Sequence, residues 1–150
     1  MHLELSGACA GCARVDPRAA ERHPLFVARL EETTVFLHDH QPLAGWTVLY
    51  LNEHGEHMAD LSAARQARVL AEVCRAARAV RAATGCRRIN YECLGNVLAH
   101  VHWHVIPRYL EPVDPEPRRT VWTRPEGWLN CGAGNTYDNL VLKLRGEIGK

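Results

Sequence analysis

Three histidines alternate with apolar residues at positions 100–106, which read His-Val-His-Trp-His-Val-Ile. Strict alternation is the pattern of an extended strand, because successive side chains of a strand point to opposite faces. We therefore predict that the apolar residues pack on one face while the histidines line the other, roughly 7 Å apart from one to the next. The three histidines are His100, His102 and His104. They form a chemical surface, since a strand that needed only a hydrated face would use Thr, Lys or Glu.

Two kinds of chemistry suit such a row of imidazoles. Alternating histidines on a strand can bind zinc and leave one position open for water. Alternatively, a neutral imidazole attacks phosphorus to form a phosphoramidate, while its neighbours contact phosphate oxygens and donate a proton to the leaving group. Gly95-Asn96 precedes His100, and there a glycine permits close backbone approach and an amide can hydrogen-bond a phosphate or a sugar. The Gly95-Asn96 pair favours phosphoryl chemistry over a metal site, although the spacing of the histidines alone leaves both kinds of chemistry open.

A second candidate site is Cys9-Ala-Gly-Cys12, near the start of the chain. Its two-residue gap lets two thiolates bind one tetrahedral zinc ion, but the motif supplies only two of the four ligands. A redox pair is the alternative, although such a pair usually opens a helix after a strand, and no strand is predicted here. Two unused thiols are the third interpretation. The remaining four of the six cysteines form no motif, and without a secretory signal we expect reduced thiols.

The composition is that of one ordinary globular domain. A chain of 150 residues can bury roughly two-thirds of its unfolded surface, so neither a disulfide nor a metal is needed to form a core. Eighteen Lys and Arg against seventeen Asp and Glu leave a formal charge of +1, which excludes the broad positive field of non-specific nucleic-acid binders. No apolar run approaches roughly 18 residues, and the start lacks the cationic region of a signal peptide. We therefore expect a cytoplasmic protein with no membrane or nucleic-acid partner.

Hydrophobic periodicity predicts the elements that carry these residues. Residues 60–84 have apolar side chains at three- and four-residue spacing, which indicates one long amphipathic helix ending at Gly85. Short runs rich in β-branched, aromatic and aliphatic residues predict strands. These runs are residues 25–30, 33–38, 46–51, 87–93 and 99–109. The pattern indicates an α+β domain, with a mostly antiparallel sheet of about five strands and a helix across one face.

The tail after Tyr109 changes character. Residues 111–117 contain three prolines, too many for a strand or helix, and predict an extended arm over the surface. Trp122 and Trp128 follow in a polar context, where they either pin the arm to the domain or line a ligand or subunit interface. Residues 138–148 predict a closing helix capped by Asp138.

The histidine motif resembles the signature of the histidine triad (HIT) family of nucleotide hydrolases and transferases, which is His-φ-His-φ-His-φ-φ with φ apolar. Residues 100–106 fit all seven positions, and the stretch 90–109 is most similar to bacterial members described as dinucleoside tetraphosphate hydrolase-like. The likeness covers roughly residues 9–109 of a single domain spanning 1–150, and leaves the C-terminal arm and helix at about 110–150 outside it. It implies the HIT-like α+β fold.

The resemblance also implies a role for each matching residue. His102 would be the nucleophile that attacks the α-phosphorus of a nucleotide and becomes nucleotidylated. His104 would contact phosphate oxygens and assist the leaving group, and His100 would orient the neighbouring backbone and imidazoles. Asp39 matches the residue that holds the ribose hydroxyls. Three further residues match positions on the nucleotide side, namely Asn90, Gly95 and Asn96.

Some members of the family bind zinc through the CxxC pair, a histidine after the third strand and the first triad histidine. Here those ligands would be Cys9, Cys12, His54 and His100. The family's chemistry requires no cofactor, and the resemblance implies a homodimer whose two sheets join across a central strand edge. Trp46 and Val97 depart from the pattern, since many members have histidine at the first position and Ser or Thr at the second.

The function we predict is hydrolysis or transfer at the α-phosphate of a dinucleoside polyphosphate or a nucleoside phosphoramidate, through a covalent nucleotidyl-histidine. A metallohydrolase that uses the three histidines as metal ligands is the main rival. A second rival is a non-catalytic module that binds nucleotide or is stabilised by zinc. The sequence does not choose the nucleotide or the leaving group, because fold likeness alone never settles a substrate.

Overall fold

A computed structural model describes residues 9–130 and 137–150. Its centre is one sheet in the order β1-β2-β3-β5-β4, with every neighbouring pair antiparallel. The strands are β1 (Phe26–Arg29), β2 (Thr33–Leu37), β3 (Thr47–Leu51), β4 (Arg88–Glu92) and β5 (His102–Arg108). The helices are α1 (Ala10–Val15), α2 (Pro17–Ala20), α3 (Ala63–Thr84), α4 (Glu126–Leu129) and α5 (Tyr137–Ile148). The α+β class and the five predicted strands are confirmed.

Helices α3 and α5 cover one face of the sheet. Ser62 caps α3 by accepting a hydrogen bond from the backbone N–H of Arg65, and Gly85 ends it at a φ of 67°, a left-handed conformation that favours glycine. The buried residues of α3 recur at helical spacing and pack against the strands, as the sequence predicts. No helix in the described ranges is long and apolar enough to cross a bilayer. The predicted cap at Asp138 is wrong, because α5 begins at Tyr137 and Asp138 lies in its first turn.

The C-terminal arm covers part of the opposite face, which carries the histidines. Val121 packs there in a second apolar cluster, together with side chains of β3, β5 and the loop before β3. The predicted surface position is confirmed, since residues 111–113 and 115 are exposed, but the predicted extended conformation is wrong. Residues 111–115 form a turn and a bend, in which the backbone N–H of Asp114 donates to the Leu110 carbonyl. Asp114 is also completely buried.

A buried ion cluster holds this arm. The Asp114 carboxylate accepts one hydrogen bond from Arg108 Nε at 2.7 Å and another from an Arg124 guanidinium nitrogen at 2.6 Å. Burial acts to raise the pKa of Asp114, but the hydrogen bonds and charges of the two arginines outweigh it and lower that pKa. Arg108 belongs to β5, so the cluster ties the arm to the strand that carries two of the histidines.

Asp114→Asn should lower the free energy of unfolding at neutral pH by about 3–5 kcal/mol, because it removes the buried charge that pairs with both Arg108 and Arg124. The carboxylate that remains, Glu116, lies 3.6 Å from Arg124 Nε. Urea denaturation measures the difference. The folded-state pKa is lowered, so the contribution of Asp114 is present above its unfolded pKa and is lost as the pH falls through the folded value. Glu111→Gln, in an exposed residue of the same arm, is the control and should change stability by less than about 0.5 kcal/mol. An equally small effect at Asp114 would show that the cluster does not hold the arm.

Candidate active site and metal site

The three histidines are not equivalent in the structure. Strand β5 begins only at His102. At Val101 the backbone carbonyl still accepts the N–H of Leu51 at the end of β3, whereas the Val101 N–H donates to the Gly55 carbonyl beyond that strand. His102 and His104 lie on the strand with ring centroids 5.2 Å apart. The His100 ring instead contacts the thiols of Cys9 and Cys12. The prediction of three histidines along one face of a strand is therefore wrong for His100.

His102 has its ring orientation and its tautomer fixed by the backbone. Its Nδ1 lies 2.7 Å from the carbonyl oxygen of His100. A carbonyl can only accept, so Nδ1 carries the proton and Nε2 of the neutral ring holds a free electron pair. The Tyr50 ring stacks against it at 5.9 Å and 23°. His102 thus has the form of imidazole that can act as a nucleophile.

His104 has the opposite tautomer. The indole Nε1–H of Trp46 donates to His104 Nδ1 at 3.1 Å, and an indole nitrogen is a donor only, so the proton of the His104 ring is on Nε2. Burial, followed by the nearby His102 and His38, lowers the pKa of His104 to about 3. His104 therefore presents a neutral N–H donor beside His102. Trp46, noted in the sequence only as a departure from the family pattern, is part of this site.

Trp122 of the arm also lines the site. Its ring meets the His104 ring edge to face at 5.2 Å, and its Nε1–H donates to the Glu92 carboxylate at the end of β4. Trp122 therefore both pins the arm and lines a candidate ligand site, the two alternatives that its sequence context suggested. Trp128 also helps to pin the arm, since its ring packs against the second apolar cluster, and the Arg124 guanidinium lies 4.5 Å from its ring centroid.

Asp39 lies at the exposed rim of the site. Its carboxylate accepts a hydrogen bond from Arg14 at 2.8 Å, and Arg14 also bonds His23 Nε2 at 2.7 Å. The same guanidinium lies over the Phe36 ring, 5.4 Å from its centroid. Sequence reasoning missed Arg14, because a single arginine on a short helix carries no signal of a partner 25 positions away.

The remaining predicted nucleotide-side residues lie on β4 and the loop after it. Asn90 is half-buried opposite Ile106, with its amide nitrogen 3.5 Å from the Glu92 carboxylate. Gly95 and Asn96 are exposed, and the Asn96 side chain makes no hydrogen bond to the described part of the chain. A Cβ added to Gly95 would meet no atom within 4 Å, so this loop is open to solvent.

Cys9, Cys12, His54 and His100 come together beside the histidine strand, with their ligand atoms all within 4.8 Å of one another. Three sulfur-to-nitrogen distances are 3.4, 3.5 and 3.7 Å. A zinc ion with sulfur at about 2.3 Å and nitrogen at about 2.0–2.1 Å in a tetrahedron would set them roughly 3.5 Å apart. The His100 Nε2–H donates to the Leu51 carbonyl at 2.8 Å, which leaves Nδ1 unprotonated towards the thiols. These four residues could hold zinc.

A sequence model of the HIT domain matches residues 20–111. The chain belongs to the HIT domain family. HIT proteins are generally nucleotide hydrolases or transferases. No curated protein matches this HIT protein, so the other comparisons are with solved structures.

Solved histidine triad proteins share the fold of this HIT protein. One from Sinorhizobium meliloti is 22% identical with a TM-score of 0.71, over 88% of this chain and 94% of that one. A hypothetical histidine triad nucleotide-binding protein from Sulfolobus tokodaii is 18% identical with a TM-score of 0.71, and the match covers 94% of this chain and 92% of that one. A Zn-bound histidine triad family protein from Mycobacterium smegmatis is 19% identical with a TM-score of 0.67, and the match covers 95% of this chain and 94% of that one. The HIT-like fold that the sequence predicts is confirmed.

Gly11 allows α1 of this HIT protein to approach His100. A Cβ on Gly11 would lie 2.4 Å from His100 Cγ, closer than side-chain atoms come. Gly11→Ala should therefore push α1 away from His100, lower the free energy of unfolding by about 1–3 kcal/mol and reduce the capacity of the four candidate ligands to hold zinc. Thermal melting and elemental analysis measure the two effects. Gly127→Ala is the control, since a Cβ there meets no atom within 4 Å. Full zinc content in the Gly11→Ala protein would contradict this account.

Proposed function

We propose that this HIT protein hydrolyses or transfers nucleotides at the α-phosphate of a dinucleoside polyphosphate or a nucleoside phosphoramidate, through a covalent intermediate on His102. The observation that carries the proposal is the hydrogen bond from His102 Nδ1 to the His100 carbonyl, at 2.7 Å. It directs the proton to the inner nitrogen and leaves Nε2 as a nucleophile. The neighbouring N–H donor on His104 then faces the place where charge develops on the phosphate.

The reaction proceeds in two displacements. The electron pair of His102 Nε2 forms a bond to the α-phosphorus, and the bond from phosphorus to the leaving group breaks with its electrons on the leaving atom. The oxygen of an anhydride leaves as a phosphate anion, whereas the nitrogen of a phosphoramidate takes up a proton from solvent and leaves as a neutral amine. Water then attacks the same phosphorus and loses a proton to solvent, and the P–N bond breaks to restore His102 and release a nucleoside monophosphate. The His104 Nε2–H donates a hydrogen bond to a phosphate oxygen, and His100 acts through its carbonyl, which holds His102.

The nucleoside lies on the Asp39 side of the site in this proposal. The Asp39 carboxylate is exposed and close to Arg14, so it is accessible to the hydroxyls of a ribose. Gly95 and Asn96 form the phosphate-side loop, and its openness gives a phosphate chain room to approach the backbone. Asn90 contributes an amide near the same end of β4.

Zinc has a structural role in this proposal, held by Cys9, Cys12, His54 and His100. The metal would fix α1 and His100 in place, and the chemistry on phosphorus would need no cofactor. The same geometry counts against a metallohydrolase with three histidine ligands. The free nitrogen of His100 faces the thiols and not His102, so the triad does not converge on one point.

The proposed assembly is a cytoplasmic homodimer. Strand β4 is an open edge of the sheet, and Tyr91 on that strand is 50% exposed. An unpaired strand edge offers backbone groups to a second copy of the chain. Light scattering that finds only monomer would contradict this part of the proposal.

A substrate panel with mass detection tests the function. The purified protein is mixed with dinucleoside polyphosphates and nucleoside phosphoramidates of adenosine and guanosine, and the products are separated by chromatography. We expect release of a nucleoside monophosphate, together with an intact-mass increase of one nucleotidyl group after rapid denaturation. Nucleotide binding without turnover or adduct would support a binding module instead. Activity that disappears on chelation, with no adduct at any time, would support the metallohydrolase.

A further inference from the structure

Trp46 fixes the tautomer of His104 and adds to burial in opposing protonation of its ring. The Trp46 side chain is 1% exposed and stacks on the His38 ring at 4.3 Å and 14°, so its indole has little room to turn. Its Nε1–H points at His104 Nδ1 from 3.1 Å. If His104 became an imidazolium, two N–H groups would face each other at this distance, since an indole nitrogen cannot accept a hydrogen bond. The geometry therefore holds His104 in its neutral form.

Three further rings surround His104 besides that of Trp46. The rings of His102, His38 and Trp122 lie 5.2, 6.0 and 5.2 Å from it. Glu92, opposite His104 on β4, is the nearest carboxylate across the ladder, but it accepts the Trp122 Nε1–H and lies 3.5 Å from the Asn90 amide. No carboxylate in the described ranges hydrogen-bonds His104. The pKa of His104, lowered to about 3, is consistent with this environment.

A neutral His104 matters because the two substrate classes differ in what their leaving groups need. When the P–O bond of a phosphoric anhydride breaks, both electrons stay on an oxygen, which leaves as a phosphate anion without taking a proton. When the P–N bond of a phosphoramidate breaks, the nitrogen must gain a proton, because an amide anion is far too basic to leave. A neutral imidazole N–H can stabilise the first leaving group by a hydrogen bond, but it is too weak an acid to protonate the second.

We propose that Trp46, by holding His104 as a neutral donor, makes this HIT protein selective for phosphoric anhydrides such as dinucleoside polyphosphates over nucleoside phosphoramidates. This inference rests on the proposed function and narrows its substrate class. Trp46 acts through His104 and touches no reacting atom, so it is a positioning residue.

The kinetic test compares kcat/KM for diadenosine tetraphosphate with kcat/KM for adenosine phosphoramidate. We expect the wild-type protein to prefer the anhydride by at least about 10²-fold, the usual contribution of a general acid that only the phosphoramidate would need. Trp46→Phe keeps an aromatic ring and removes the N–H donor. It should reduce this preference at least about 10-fold, and its phosphoramidate kcat should rise as the pH falls and His104 gains a proton. Trp128→Phe, the same change at a tryptophan that packs on Arg124, should leave the preference unchanged.

A spectroscopic test does not depend on turnover or on the stability of the Trp46→Phe protein. Nitrogen NMR of ring-labelled histidines should show His104, identified by the loss of its signals in His104→Gln, with its proton on Nε2 between about pH 5 and 8. Equal kcat/KM for the two substrates, or a proton on Nδ1 of His104, would overturn this inference. Neither result would contradict the proposed covalent intermediate on His102. A complete lack of turnover and of adduct would overturn the proposed function, and this inference with it.

Discussion

His102→Ala should lower kcat by about 10⁴-fold or more and should abolish the covalent nucleotide adduct, because no other group in the site can form the bond to phosphorus. His104 cannot substitute for His102. Its only unprotonated nitrogen is Nδ1, which already accepts the Trp46 indole N–H. A single-turnover reaction with labelled nucleotide, quenched in denaturant, measures the adduct and the rate together.

Two controls make the result specific to His102. His57→Ala removes an exposed imidazole whose side chain makes no hydrogen bond within the described ranges, and it should retain full activity. The His102→Ala protein should still bind nucleotide, because the Asp39 side of the site is unchanged. Wild-type turnover in His102→Ala would refute the covalent mechanism, whereas lost binding would mean that His102 holds the substrate as well.

The elements that local patterns specify were predictable from the sequence. The alternation in β5 and the three- and four-residue spacing in α3 follow from the geometry of strand and helix. The end of α3 was predictable because glycine is the residue that most often ends a helix in the left-handed conformation, and Gly85 does so here. The structure also places Cys9, Cys12, His54 and His100 together, as the resemblance implied. In each case the information lies within one element or in a motif of known spacing.

The contacts that distinguish the histidines could not be read from local patterns. The alternation runs unbroken through His100, but the strand begins only at His102. The His100 ring lies against the thiols of Cys9 and Cys12, which precede it by 91 and 88 positions. The tautomer of His104 depends on Trp46, 58 positions away along the chain. The turns of the arm depend on Asp114, whose acidic side chain suggests a surface position until its two buried arginine partners are known.

Disruption of the proposed zinc site should have the second-largest effect, since His100, which would bind the metal, also holds the nucleophile through its carbonyl. Cys12→Ser should reduce bound zinc from about one per chain to almost none, because a serine hydroxyl is a poor zinc ligand. A ligand present at about 1,000 times its dissociation constant adds about 4 kcal/mol of stability, which corresponds to a fall of roughly 10 °C in Tm when it is lost. Elemental analysis and thermal melting measure the two quantities.

The same substitution should also reduce catalysis, although Cys12 touches no substrate. Without the metal, the His100 ring keeps its hydrogen bond to the Leu51 carbonyl and its contact with the Cys9 thiol but loses its link to Cys12 and His54. The His100 backbone that orients His102 Nδ1 therefore becomes less rigid. We therefore expect a lower kcat, with the adduct still formed on His102. Cys74→Ser, at an exposed cysteine of α3, is the matched control and should keep the zinc content, Tm and kcat. Unchanged zinc content in Cys12→Ser would show that the four residues are not a metal site. Unchanged kcat after zinc loss would show that the metal does not help His100 to orient His102.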